Sequence, residues 1–168
     1  MTGPSPSQTI GPFFHFGMEW MNRSDPVDPG SPGAVEISGT LSDGAGAGVP
    51  DAMLELWQAD GSGGLGSNLF GRVLTDPAGR YRFTTVKPGR VDADQAPHVD
   101  VSVFARGLLQ RLVTRIYFPD EAEANRTDPL LSTVEPARRS TLVAVTRSGG
   151  LTFDIRLQGP GETVFLVW

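Results

Sequence analysis

The chain has 168 residues, enough for one domain with a real core, and its 39% hydrophobic content excludes wholesale disorder. A net charge of −5 excludes an extended basic surface for nucleic acid, though not a small anion held by one arginine. Cysteine is absent, which removes disulfides, thiolate ligands and a thiol nucleophile, and no apolar run approaches the roughly 20 residues of a membrane helix.

The 21 glycines and 14 prolines follow no repeat period, so many short elements joined by turns are expected. Residues 1–12 read as an extended arm, because Pro4, Pro6 and Pro12 disfavour helix. The first eight residues lack a basic-then-apolar leader pattern, and a cytoplasmic protein is expected. Phe13, Phe14, Phe16 and Trp20 follow the arm and must bury against this domain or a neighbour. Residues 22–33 (NRSDPVDPGSPG) read as a surface loop. The expected division is therefore 1–33, an arm and loop packing on its own domain and on a partner, and 34–168, the core domain.

Within 34–168 period-2 patterns dominate. Val35, Ile37 and Leu41 alternate with Glu36, Ser38 and Thr40, and Leu54 and Leu56 with Glu55 and Trp57. Residues 80–86 form a strand between the turn at 76–79 and Pro88-Gly89. Val99, Val101 and Val103 alternate with His98, Asp100 and Ser102. Residues 109–118, 142–147, 151–157 and the apolar terminus 163–168 complete the strand candidates. Only residues 120–124 (DEAEA) have a helical composition. Eight or nine short strands imply an all-β, antiparallel sandwich with at most one or two short helices.

Chemistry-bearing residues are scarce. His15 and His98 are the only histidines and no Gly-x-Ser-x-Gly elbow occurs, so a hydrolytic triad is not expected. His98 and Asp100 share one strand face, which suits two metal ligands or, more blandly, a hydrogen-bonded strand histidine beside a polar neighbour. A third ligand would have to come from His15, a distant carboxylate, Tyr81 or Tyr117. The run 61–66 (GSGGLG) lacks the Lys-Ser/Thr of a phosphate loop and reads as a turn. Arg106 lies where an apolar strand exits into a turn, placed either for a surface ion pair or for a carboxylate ligand. The arm at 7–14 (SQTIGPFF) either approaches a ligand through Gly11 or is stapled to its own domain by aromatic contacts.

Five stretches in order, 6–15 (PSQTIGPFFH), 54–60 (LELWQAD), 87–89 (KPG), 97–107 (PHVDVSVFARG) and 153–165 (FDIRLQGPGETVF), together resemble the intradiol ring-cleaving dioxygenases. That resemblance implies a prealbumin-like sandwich. It also implies a hetero-oligomer in which a catalytic β subunit holds Fe(III) through two Tyr and two His. On this chain the corresponding positions are Leu65, Val91, His98 and Asp100, so one of four ligands survives and no metal is expected. The implied role is that of a non-catalytic α subunit. Its Thr9, Gly11 and Pro12 would line the partner's substrate pocket, with Arg106 as the next candidate for that wall. The implied reaction inserts O₂ between the hydroxyl-bearing carbons of protocatechuate, giving 3-carboxy-cis,cis-muconate. Phe13 stands where several relatives carry Tyr, and the chain is shorter than many after Trp20 and between Pro88 and Pro97. Residues 39–54 and 75–89 also resemble prealbumin-like and carboxypeptidase-regulatory-like modules, which implies the alternative of a structural or binding sandwich.

Overall fold

The computed structural model describes residues 5–167 apart from Pro12 and Ser67. Among the described residues nine strands form two sheets: β1 (Ala34–Ser42), β2 (Met53–Gln58), β3 (Gly71–Leu74), β4 (Arg80–Val86), β5 (His98–Phe104), β6 (Leu112–Tyr117), β7 (Val145–Arg147), β8 (Gly150–Thr152) and β9 (Ile155–Arg156). One sheet runs β4-β1-β8-β7 with β9 also paired to β1, and the other runs β3-β2-β5-β6. Their facing sides enclose Ile37, Leu41, Leu54, Phe83, Val101 and Ile155, all essentially inaccessible to water. The alternation in β5 buries Val99, Val101 and Val103 and turns His98, Asp100 and Ser102 to the opposite side.

Three expectations need correction. The sandwich is not wholly antiparallel, because β8 and β9 both pair parallel to β1. The single strand expected at 151–157 is two strands, broken at Asp154, whose carboxylate accepts the Thr40 amide at 2.9 Å. Helical turns are also more numerous than expected: α1 (Phe13–Met18), α2 (Ala122–Thr127) and α3 (Pro129–Thr133) are α-helical, with 3₁₀ segments at Glu19–Met21, Pro119–Glu121 and Pro136–Leu142. The helices after β6 cover the outer face of the second sheet, where Tyr117, Leu131 and Leu142 form a second apolar cluster. Residues 114–117 are therefore buried on both faces, which erases period-2 alternation there. Asp128 starts α3, its carboxylate accepting the Leu131 amide at 2.9 Å ahead of Pro129 in the first turn.

The segment read as a surface loop closes a sheet edge. Arg23 exchanges backbone hydrogen bonds with Arg72 of β3, and Ser24 and Val27 bond Thr84 of β4, so residues 23–27 tie the edges of both sheets together. At the far edge of β6 the chain terminus does the same work: the Leu166 amide donates to Val113 and the Thr114 hydroxyl to Val164. No helix of the described residues is long and apolar enough to cross a membrane.

Candidate functional site

The outer face of the second sheet carries two clusters, one at each end of β5. The first is a recess of about 230 Å³ bounded by Trp57, Leu65, Val91, Gln95, His98, Asp100 and Arg115. Strand pairing builds its floor, since Trp57, Asp100 and Arg115 stand in one row across β2, β5 and β6. Two loops build its rim. Residues 60–64 fold round the Asp60 carboxylate, which accepts the amides of Ser62 and Gly64 at 2.9 Å each. Gly89 presses on that loop, donating its amide to the Asp60 carbonyl at 2.7 Å. The approach requires glycine: a Cβ on Gly63 (φ +90°) would lie 2.0 Å from the Arg90 carbonyl oxygen, and one on Gly89 2.5 Å from the Gly63 nitrogen. Leu65 and Val91 each lie two residues beyond these glycines and are carried to the recess by the loops they shape. The Gly-rich run is thus a turn.

His98 donates from Nδ1 to the Ala96 carbonyl at 2.8 Å, because a carbonyl only accepts. Its Nε2 therefore offers a lone pair 3.9 Å from Asp100 Oδ2. Burial, reinforced by the nearby Arg115 charge, holds the imidazole below its ordinary pKa against the opposing pull of the Ala96 bond and Asp100. Asp100 Oδ1 accepts from Arg115 Nε at 2.8 Å, and the same guanidinium reaches Gln95 Oε1 at 3.3 Å. These residues do not fit an iron centre of the family's kind. Leu65 and Val91 carry no donor atom, and the carboxylate of Asp100 already neutralises an arginine. The third-ligand candidates point elsewhere. Tyr81 is buried in the core with its hydroxyl donating to the Phe153 carbonyl. Tyr117 stacks near His98 with ring centroids 5.9 Å apart, yet donates its hydroxyl to Asp128 at 3.0 Å. Burial raises that phenol well above its ordinary pKa, despite the opposing bond to Arg115. His15 lies at the other end of the sheet, 3.6 Å from Asp51. Among the described residues no three His, Asp or Glu side chains converge.

The second cluster forms where the arm docks. Thr9 Oγ accepts the Gly107 amide at 2.7 Å, Phe14 packs on Phe104 with centroids 6.4 Å apart, and Arg106 reaches Asp51 at 3.2 Å. Asp51 holds a left-handed backbone (φ 57°) and faces both Arg106 and His15. Both readings of Arg106 thus stay compatible with its half-exposed side chain. Thr9 is brought beside Arg106 through the Gly107 amide, Thr9, Gly11 and Arg106 are all exposed, and Pro12 lies outside the described residues. The two clusters are separated by the length of β5, six steps of roughly 3.3 Å or about 20 Å. Leu65, Val91, His98 and Asp100 gather in one, Thr9 and Arg106 in the other. Sequence reasoning missed Arg115 and Gln95 in the recess and Asp51 beside the arm.

A dioxygenase family profile matches residues 11–159. The protocatechuate 3,4-dioxygenase alpha chain of Burkholderia cepacia is 42% identical over 96% of this chain and 95% of its own length. The protocatechuate 3,4-dioxygenase beta chain of the same organism is 31% identical over 77% of this chain and 66% of its own. Among solved structures, the dioxygenase domain of a carbohydrate-binding fusion protein from Streptomyces sp. SirexAA-E superposes with a TM-score of 0.67 at 28% identity, over 83% of this chain and 89% of that one. Near end-to-end likeness to a dioxygenase chain sets aside the alternative of a structural or binding module. A matching profile, a 42% identical relative and a shared sandwich place this chain in the intradiol dioxygenase family.

Proposed function

We propose that this chain is the α subunit of a protocatechuate 3,4-dioxygenase and that it works by completing the substrate pocket of an iron-bearing β partner. The single observation that carries this reading is the donor set of the recess: one imidazole, a carboxylate engaged by Arg115, and two aliphatic side chains. Such a recess leaves the ring-cleavage chemistry to another chain, while 42% identity to a named alpha chain supplies the assembly in which that division of labour occurs. Likeness to the beta chain is what descent from a common dioxygenase ancestor would leave.

In the proposed complex the iron would be held by the partner and would supply activation of the catecholate for attack by O₂, the product being 3-carboxy-cis,cis-muconate. This chain contributes the docked arm, with Thr9, Gly11, Pro12 and Arg106 forming part of the pocket wall across the interface. Arg106 is held loosely by one surface contact to Asp51, so its charge is available to a carboxylate at little cost. The arm and loop of residues 1–33 pack on both this domain and the partner, and the complex is cytoplasmic. Co-expression with a β chain tests the proposal. The pair should bind one iron per αβ unit and cleave protocatechuate, while this chain alone does neither. Ring cleavage by the iron-loaded chain alone would overturn it.

A further inference from the structure

Arg115 is an anomaly of place. It sits in the middle of β6 among Val113, Thr114, Ile116 and Tyr117, with only 9% of its side chain exposed. Long cations are rarely buried in a strand unless something holds them there. Three groups do: the Asp100 carboxylate directly across the ladder, the Gln95 amide and the Tyr117 hydroxyl. Beside it, His98 Nε2 and Asp100 Oδ2 face each other at 3.9 Å, about half an ångström wider than the roughly 3.4 Å between two donors bound tetrahedrally to one divalent ion at about 2.1 Å each. The pair is therefore half of a metal site with a cation already in the remaining half.

We infer that Arg115 keeps metal out of this recess: its guanidinium is the recess's own cation, and His98 with Asp100 is a latent divalent-metal site that opens once that charge is removed. The inference deepens the proposed function, in which iron belongs to the partner alone, and rests on it for that meaning. Two physical effects act together. The guanidinium neutralises the carboxylate through Oδ1 and so weakens Oδ2 as a donor, and its fixed charge lies within a few ångströms of any ion bound between His98 and Asp100. The Arg115 side chain is itself only 9% exposed, so water screens its charge little at that end of the recess.

The test uses the assembled complex with its partner and measures Zn²⁺ binding by calorimetry, taking the wild-type pair as the background. Arg115→Gln and Arg115→Met should each gain one Zn²⁺ site per αβ unit, bound at least about tenfold more tightly than any the wild type shows. The gain should vanish in Arg115→Gln/Asp100→Ala and in Arg115→Gln/His98→Ala, and Arg115→Lys should bind as the wild type does. Natively folded Arg115→Gln and Arg115→Met complexes without a new site would overturn the inference, as would equal gain in Arg115→Lys. An independent arm keeps the arginine: Asp100→His alone should stay closed to Zn²⁺ and Asp100→His/Arg115→Gln should open. Tight binding by Asp100→His alone would equally overturn it. The iron content of the wild-type pair tests the proposed function separately, so either idea can fail without the other.

Discussion

Asp128 has no exposed surface, and its carboxylate accepts three hydrogen bonds, from the Tyr117 hydroxyl at 3.0 Å and the Leu131 and Ala96 amides at 2.9 Å each. One side chain thus caps α3, anchors β6 and fixes the strand entry that carries His98. Asp128→Ala strands all three donors and should cost about 3 kcal/mol, read as a lowered unfolding temperature, while Asp128→Asn should cost less. Arg106 belongs to the same scale but to function. In the proposed complex Arg106→Ala removes one charge-assisted contact, so KM for protocatechuate should rise about tenfold with kcat within about twofold. Unchanged kinetics would remove Arg106 from the pocket wall. Arg115 shows what a residue-level reading lets slip. An arginine inside the apolar run LVTRIYF was a visible signal of a buried ion pair, but its partner is set by strand register, which sequence does not print.

Elements were legible where one face is wet. The alternating strands at 35–41 and 99–105 match β1 and β5, because a half-buried strand writes its geometry as period 2. β6 fails that test because helices roof its outer side. β3 was missed because four residues after a glycine-rich turn leave too little pattern. The Asp128-Pro129 pair was a usable helix signal, a cap followed by the residue favoured in a first turn. Of the four recess positions, His98 and Asp100 were legible from strand spacing, whereas Leu65 and Val91 were reachable only through family resemblance, since nothing in composition links them. The link is the glycine contact between their loops. Gly63→Ala should therefore destabilise by more than about 2 kcal/mol, because both its left-handed φ and the Arg90 carbonyl forbid a Cβ. Gly66→Ala, with open space around it, should be close to neutral in the same thermal melt.

At the scale of the whole molecule, the most exposed aromatic side chains stand together just after the arm. Phe13 and Trp20 are 83% and 80% exposed, and Phe16 stands between them in α1 and its 3₁₀ extension. Three large aromatics exposed this close together mark a contact surface. Replacing Phe13 and Trp20 together by Ser should weaken pairing with the partner by at least about tenfold in an equilibrium binding measurement, while leaving the unfolding temperature of the chain within a few degrees. Unaltered affinity would show that the interface lies elsewhere. The charge and composition that argued against nucleic acid said nothing of this surface, because oligomer faces differ from ordinary ones in placement rather than in bulk content.

The stitched sheet edges bear on how such a subunit survives its own synthesis. A member of a two-chain complex is made before it meets its counterpart, and an open strand edge in that interval would invite pairing with any passing strand. Here residues 23–27 cover the β3 and β4 edges and residues 164–166 the β6 edge, leaving the three-residue β7 edge uncovered among the described residues. What remains adhesive on the orphan is that three-residue strand edge, too short to template much pairing, and a short aromatic helix, a shape that a strand cannot extend. Cutting the clasp rather than the patch should therefore be what turns a waiting subunit into a fibre-former.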